Sequence, residues 1–204
     1  MRPGTYAEQV NVAASGALGS PITFAASAPG VVIQGARDLS AAGGWTNSGP
    51  TSTGAIAWSQ PYAPPSAPRQ VFRDGIRLAA ASTTALPPAV ASLADLKVDG
   101  FFYDTIAKVL YIGTSGTNPA VGHTIAAGAQ TYGFNLAGIS NVVVDGFTLQ
   151  RQNLAGVRLS ASSADTVRNV TATQAGANGI LLEAGTSVVT VSGSTVSGSA
   201  SVGI

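Results

Sequence analysis

Four glycines, Gly133, Gly156, Gly179 and Gly203, recur at intervals of 23 (156 − 133), 23 (179 − 156) and 24 (203 − 179) residues. Three lines of sequence repeat around them. Gly146–Val157 reads GFTLQRQNLAGV, Asn169–Ile180 reads NVTATQAGANGI and Gly193–Ile204 reads GSTVSGSASVGI. Each line has Thr third and closes on Gly followed by a β-branched residue. Self-similarity at such a period marks a repeat architecture, in which one supersecondary unit stacks on the next. Within a period the segments are short, alternate apolar with polar residues and are rich in Val, Ile and Thr, which predicts strands. Leucine-rich repeats have a comparable period, but their Leu-x-x-Leu-x-Leu pattern is missing. A solenoid of stacked β-coils remains, with the glycines read as markers of coil corners.

Composition bears on what such a solenoid could do. Charged residues make up 9% of the 204 positions, against about 25% in an average domain. Ala, Ser, Thr, Val and Gly take their place, a set that suits stacked coils and leaves few helix-forming windows. The net charge of +1 points away from nucleic acid and anionic membrane as partners. Cysteine is absent, so disulfide and thiolate chemistry drop out. No apolar run reaches the roughly 18 residues of a membrane-spanning helix. Met1-Arg2-Pro3-Gly4 opens without the apolar stretch of a signal peptide. The last line stops at Gly203-Ile204, where the earlier ones continue as GVRLS and GILLE. The expectation is a fragment of a longer chain, lacking the polar cap a solenoid needs and inactive on its own.

Taken in order, the sequence divides into first coils over 1–36, an excursion over 37–120 and further coils over 121–204. The excursion holds both tryptophans, Trp45 and Trp58. Gln70–Leu78, QVFRDGIRL, predicts a hairpin turning at Asp74-Gly75, and Gly100–Gly113 predicts a second one around Asp104–Lys108. An Ala/Pro/Ser-rich linker over 79–94, with Pro87-Pro88, lies between them. The whole segment is expected to be an antiparallel insertion between coils.

Pro3–Gly35 carries Pro-Gly-Thr-Tyr-x-Glu-x-Val-x-Val, then Pro-Ile-Thr-Phe, then Val-Val-Ile-x-Gly. This order resembles the opening of right-handed parallel β-helix proteins of the pectin-lyase-like superfamily, especially bacterial carbohydrate-active members. With the coils of Gly133–Ile204 the resemblance covers about half of the chain. The runs Gln70–Leu78 and Phe102–Tyr111 are similar to an excursion found in hydrolase-like and lyase-like members. The resemblance implies an all-β fold, a right-handed parallel β-helix with an inserted antiparallel hairpin excursion beside a substrate cleft. It also implies a polysaccharide partner, an extracellular or cell-surface location, and a glycoside hydrolase or polysaccharide lyase activity. A non-catalytic adhesin, fibre or carbohydrate-binding stalk stays open beside that. The oligomeric state is not legible.

The period also serves as a ruler, because stacked strands lie about 4.8 Å apart. It places Asp145 on Arg168, Ser160 on Glu183 and Arg158 on Leu181. If Val157, Leu159, Ile180 and Leu182 point inward, then Arg158, Ser160, Leu181 and Glu183 share one outward face. Glu183, Arg158 and Asp145 are therefore the catalytic candidates: hydrolysis needs two carboxyl groups, and elimination from a uronide needs a base and a neutraliser. Arg151 is a candidate at the edge of the same face. Trp45, Trp58, Tyr62 and Tyr103 are candidate sugar-stacking residues. The bland alternatives are a solvated ion pair for Glu183 and Arg158, a turn carboxylate binding backbone N–H for Asp145, and a miniature core for the aromatics. Asp74, Asp99 and Asp104 are expected in turns. No cofactor is expected; Ca²⁺ at Asp145 stays open as an alternative to the turn carboxylate, without support. His123 is the single histidine and has no partner at metal-ligand spacing. Phosphate-loop and Gly-x-Ser-x-Gly patterns are missing.

Overall fold

A computed structural model describes residues 1–81 and 92–204. The first coil is made of β1 (Gly4–Tyr6), β2 (Val10–Asn11) and β3 (Ile22–Ala25), and β4 (Val31–Gln34) opens the second. The excursion then contributes β5 (Ala36–Asp38), β6 (Thr46–Pro50), β7 (Ile56–Pro61), β8 (Val71–Arg73), β9 (Ile76–Arg77), β10 (Ala79–Ala80), β11 (Gly100–Asp104), β12 (Val109–Thr114) and β13 (Ile125–Gly128). The coils resume with β14 (Tyr132–Ala137), β15 (Val142–Asp145) and β16 (Thr148–Gln150). They continue through β17 (Ala155–Ser160), β18 (Thr166–Arg168) and β19 (Thr171–Thr173) to β20 (Asn178–Leu182), β21 (Thr190–Ser192) and β22 (Thr195–Ser197). Two compact units result: 1–36 together with 130–204, and 37–129. The excursion thus leaves after β4 and returns before β14, inside the second coil and not between coils. It reaches 129 and not 120, because β13 pairs antiparallel with β8. The linker expected over 79–94 lies mostly outside the described residues.

The coils stack into three parallel sheets, in the orders β1-β4-β16-β19-β22, β2-β14-β17-β20 and β3-β15-β18-β21. Registers follow the period: Thr148 faces Thr171, Tyr132 faces Ala155, and Asp145 faces Arg168. Alternation along each strand sends one side chain in two to a shared core, where Val31, Ile33, Phe134, Leu136, Val144, Phe147, Leu149, Val157, Leu159, Val167 and Ile180 are buried. Removing this apolar surface from water is the main force holding the coils together. Phe134 bridges sheets, with ring centres 5.8 Å from Phe24 and 4.9 Å from Phe147.

The periodic glycines have a different role from the corner markers expected. Gly133, Gly156 and Gly179 lie in or beside strands β14, β17 and β20, where the coils touch. A Cβ on Gly133 would sit 2.6 Å from the Gly156 carbonyl oxygen, and one on Gly156 would sit 2.7 Å from that of Gly179. The corners are formed elsewhere, by columns of left-handed residues at the same period. Gly146, Asn169 and Gly193 make one column and Asn141, Ala164 and Val188 another, all with φ between 52° and 81°.

The second unit contains a mixed sheet, β10-β11-β12-β7-β6, and a second sheet, β5-β13-β8-β9. Asp74 (φ 51°) and Gly75 (φ 78°) form the turn between β8 and β9, the left-handed pair a two-residue hairpin loop favours. Asp104 accepts from the N–H groups of Ile106 and Ala107, both at 2.8 Å, and shapes the β11–β12 turn. Leu39, Trp45, Tyr62, Val71, Phe101, Leu110, Ile112 and Ile125 build the unit's own core.

Candidate functional site

The sheet β2-β14-β17-β20 carries the main polar constellation. Its register stacks Asn11 on Asn135, Asn135 on Arg158 and Arg158 on Leu181. Val157 and Leu159 are buried on either side of Arg158, so the guanidinium is turned outward by simple strand alternation. Its Nε and Nη2 both donate to Glu183 Oε2, at 3.0 and 2.6 Å. Nη1 donates to Asn135 Oδ1 at 3.1 Å, and the guanidinium carbon lies 5.3 Å from the centre of the Tyr132 ring. The network continues: Asn135 Nδ2 donates to Asn11 Oδ1 at 3.2 Å, and Gln9 Nε2 donates to the same oxygen at 2.7 Å. Gln9 Oε1 in turn accepts the Tyr132 backbone N–H at 2.9 Å.

Electrostatics lock the pair at the end of this row. The hydrogen bonds from Arg158 hold the Glu183 carboxyl below its ordinary range, with Ser160 adding to the effect. The Glu183 carboxylate in turn raises Arg158. Both shifts favour the ionised form of the pair. Leu182 shares Leu159's column but remains 43% exposed, because β20 is the edge of its sheet.

The other predicted residues lie elsewhere. Asp145 is on β15, in a different sheet from Arg158 and Glu183, so the three catalytic candidates do not form one centre. Its carboxylate accepts from Arg168 Nε and Asn169 Nδ2, both at 2.9 Å, rather than from a turn's backbone N–H groups. These bonds, that from Asn169 first, lower its pKa. Arg151 occupies a left-handed corner (φ 59°) between β16 and β17 and donates from Nε to Gln174 Oε1 at 2.9 Å, its counterpart one coil on. Partial burial lowers its pKa.

Two of the aromatic candidates, Trp45 and Tyr62, are corrected. Trp45 and Tyr62 are only 5% and 3% exposed. Trp45 Nε1 donates to the Leu39 carbonyl at 2.9 Å, and the Tyr62 hydroxyl donates to the Ala127 carbonyl at 2.8 Å. Burial pushes the Tyr62 phenol far up. Trp58 and Tyr103 pack against the same cluster, and the Tyr103 hydroxyl donates to the Tyr62 carbonyl at 3.0 Å. A small inserted sheet needs large side chains to make any core of its own; Trp45 and Tyr62 belong to that core, and Trp58 and Tyr103 are half-buried against it.

Sequence reasoning missed the pairing of Asp74 with His123. Asp74 meets His123 Nδ1 and also accepts the Thr124 N–H at 2.8 Å. Both contacts pull the Asp74 pKa down, the Thr124 N–H foremost. The residues are 49 apart in sequence (123 − 74) and become neighbours only because β8 pairs with β13. Among the described residues no three of His, Cys, Asp and Glu gather as metal ligands, and no helix is long and apolar enough to cross a membrane.

Residues 108–204 match the family model described as right handed beta helix region. The solenoid is a right-handed parallel β-helix. A solved structure described as "The complex structure of XylC with xylose" is similar over 88% of this chain, with a TM-score of 0.58 at 14% identity. The chain spans about a third (35%) of that protein's length, and the likeness is one of fold. A search of curated proteins gives no match. Within the β-helix, the polar row on β2, β14 and β17 with Glu183 just beyond β20 is the candidate site.

Proposed function

We propose that the outward face of the sheet β2-β14-β17-β20 binds a carbohydrate chain. The observation that carries this reading is the connected row Gln9–Asn11–Asn135–Arg158–Glu183. Three of its members, Asn11, Asn135 and Arg158, are register partners on adjacent parallel strands, stacked at the interstrand spacing of about 4.8 Å. Amide and guanidinium groups held in fixed orientations offer both donors and acceptors, which suits a ligand bearing many hydroxyls. A β-helix of similar fold solved with xylose supports the same ligand class.

Binding is a better account of these residues than bond cleavage. Hydrolysis needs a second carboxyl group roughly 5–10 Å from the first, and the residue stacked on Glu183 one coil back is Ser160. A general acid must carry a proton near the working pH, whereas the hydrogen bonds from Arg158 shift the Glu183 pKa downward, away from that role. The same contact raises the Arg158 pKa, which disfavours it as the base of a lyase. A polysaccharide-cleaving centre that used this face would need a further acid or base near Glu183.

Isothermal titration against a panel of oligosaccharides tests the proposal. Saturable binding to at least one member, weakened tenfold or more by Arg158→Ala and several-fold by Asn135→Ala, is expected. Binding unchanged in both variants would overturn it.

A further inference from the structure

We infer that Glu183 is a charge cover on Arg158, and that it makes this face select neutral saccharides over acidic ones. The inference rests on the carbohydrate-binding reading above and concerns the same site. Arginine's planar fork is the side chain best matched to a carboxylate, which it binds by two parallel N–H donors. An uncovered Arg158 on an exposed sheet would therefore be a ready uronate receptor. Here Nε and Nη2, one complete edge of the fork, are both spent on Glu183 Oε2. Nη1 is spent on Asn135, and one ring face of Tyr132 lies against the guanidinium. An arriving uronate carboxylate finds that edge of the fork occupied and meets a second negative charge beside it.

The remainder of the row favours neutral ligands. Asn11, Asn135 and Gln9 are uncharged, and Arg158 and Glu183 cancel. Sugar hydroxyls, which donate as well as accept, can use the Glu183 carboxylate as an acceptor, whereas the carboxylate group of a uronate, an acceptor only, cannot. Glu183 lies just past β20, where its backbone N–H donates to the Leu159 carbonyl at 2.8 Å. This bond fixes the residue one strand from Arg158 and makes the cover a feature of the coil register.

Matched oligosaccharides separate the possibilities: xylo- or gluco-oligomers against galacturonate oligomers of equal length, titrated into the wild-type chain, Glu183→Gln and Glu183→Ser. The wild type is expected to favour the neutral ligand by about tenfold or more. Both variants are expected to raise uronate affinity by about tenfold, and added salt should erase the gain because it is a charge effect. Arg158→Gln combined with Glu183→Gln should return uronate binding to the wild-type level. Uronate preference in the wild type, or no gain in either variant, would overturn the charge cover while leaving carbohydrate binding intact. Failure of the wild type to bind either class would overturn both.

Discussion

Asp165 lies only 1% exposed in the corner between β17 and β18, with Oδ1 accepting the Val142 N–H at 2.9 Å. Burial is the dominant influence and raises its pKa, against the opposing pull of that hydrogen bond. A carboxyl whose pKa is raised by folding costs nothing below its unfolded pKa. It then costs progressively more as pH rises toward the folded value. Asp165→Asn keeps the acceptor for Val142 and removes the titration. Thermal melts should give the variant a Tm roughly 2–4 °C higher at pH 7, the shift about 1 kcal/mol produces in a domain of this size, with the gain vanishing below about pH 4. A constant difference across pH would contradict this account. Sequence alone made some residue positions legible and hid others. The 23-residue ruler correctly stacked Asp145 on Arg168 and Arg158 on Leu181, because parallel register converts sequence difference into adjacency. It could say nothing about Asp74 and His123, which no repeat relates. Nor could it separate a stacking aromatic from a core one at Trp45 and Tyr62, since both need the same residue types.

At the scale of the strand and its corner, the repeat imposes two opposite demands. Strand glycines are needed where coils touch; corner residues must enter left-handed space. The spacing of Gly133, Gly156 and Gly179 was plain in the sequence, but not its reason, because a close approach between neighbouring coils appears only in three dimensions. Gly156→Ala would drive a Cβ to 2.7 Å from the Gly179 carbonyl oxygen and 3.0 Å from the Ala172 Cβ. Overpacking of this kind costs about 1–3 kcal/mol, and chemical denaturation should show that loss. Val188 violates the corner rule, as a β-branched residue at φ 52° that is 81% exposed. Left-handed backbone costs a residue with a Cβ about 1–2 kcal/mol. Val188→Gly sacrifices little burial and should raise stability by up to about 1 kcal/mol once the unfolded chain's extra freedom is subtracted. A lower denaturation midpoint for Val188→Gly would show that the corner is not strained.

The whole molecule joins a solenoid to a unit with its own core, and the junction is legible in the backbone. Gln130 N–H donates to the Gly35 carbonyl at 2.9 Å, so the solenoid chain leaves and re-enters at one point. The β-helix core draws on residues before and after the excursion, with Val31 and Ile33 beside Phe134 and Leu149. Replacing 37–129 by a short Gly/Ser turn should therefore leave a chain with the circular dichroism of a β protein and a cooperative melt. Loss of the melt would mean that the solenoid depends on the excursion. The carbohydrate row belongs wholly to the solenoid unit, and it can be observed directly. The decisive measurement is an NMR titration with a neutral oligosaccharide, following the side-chain amides of Asn11 and Asn135 and the Arg158 Nε–H. Saturable shifts at these three groups are predicted. Binding without any shift there, with the perturbed signals confined to other faces, would contradict the assignment of this sheet as the carbohydrate site.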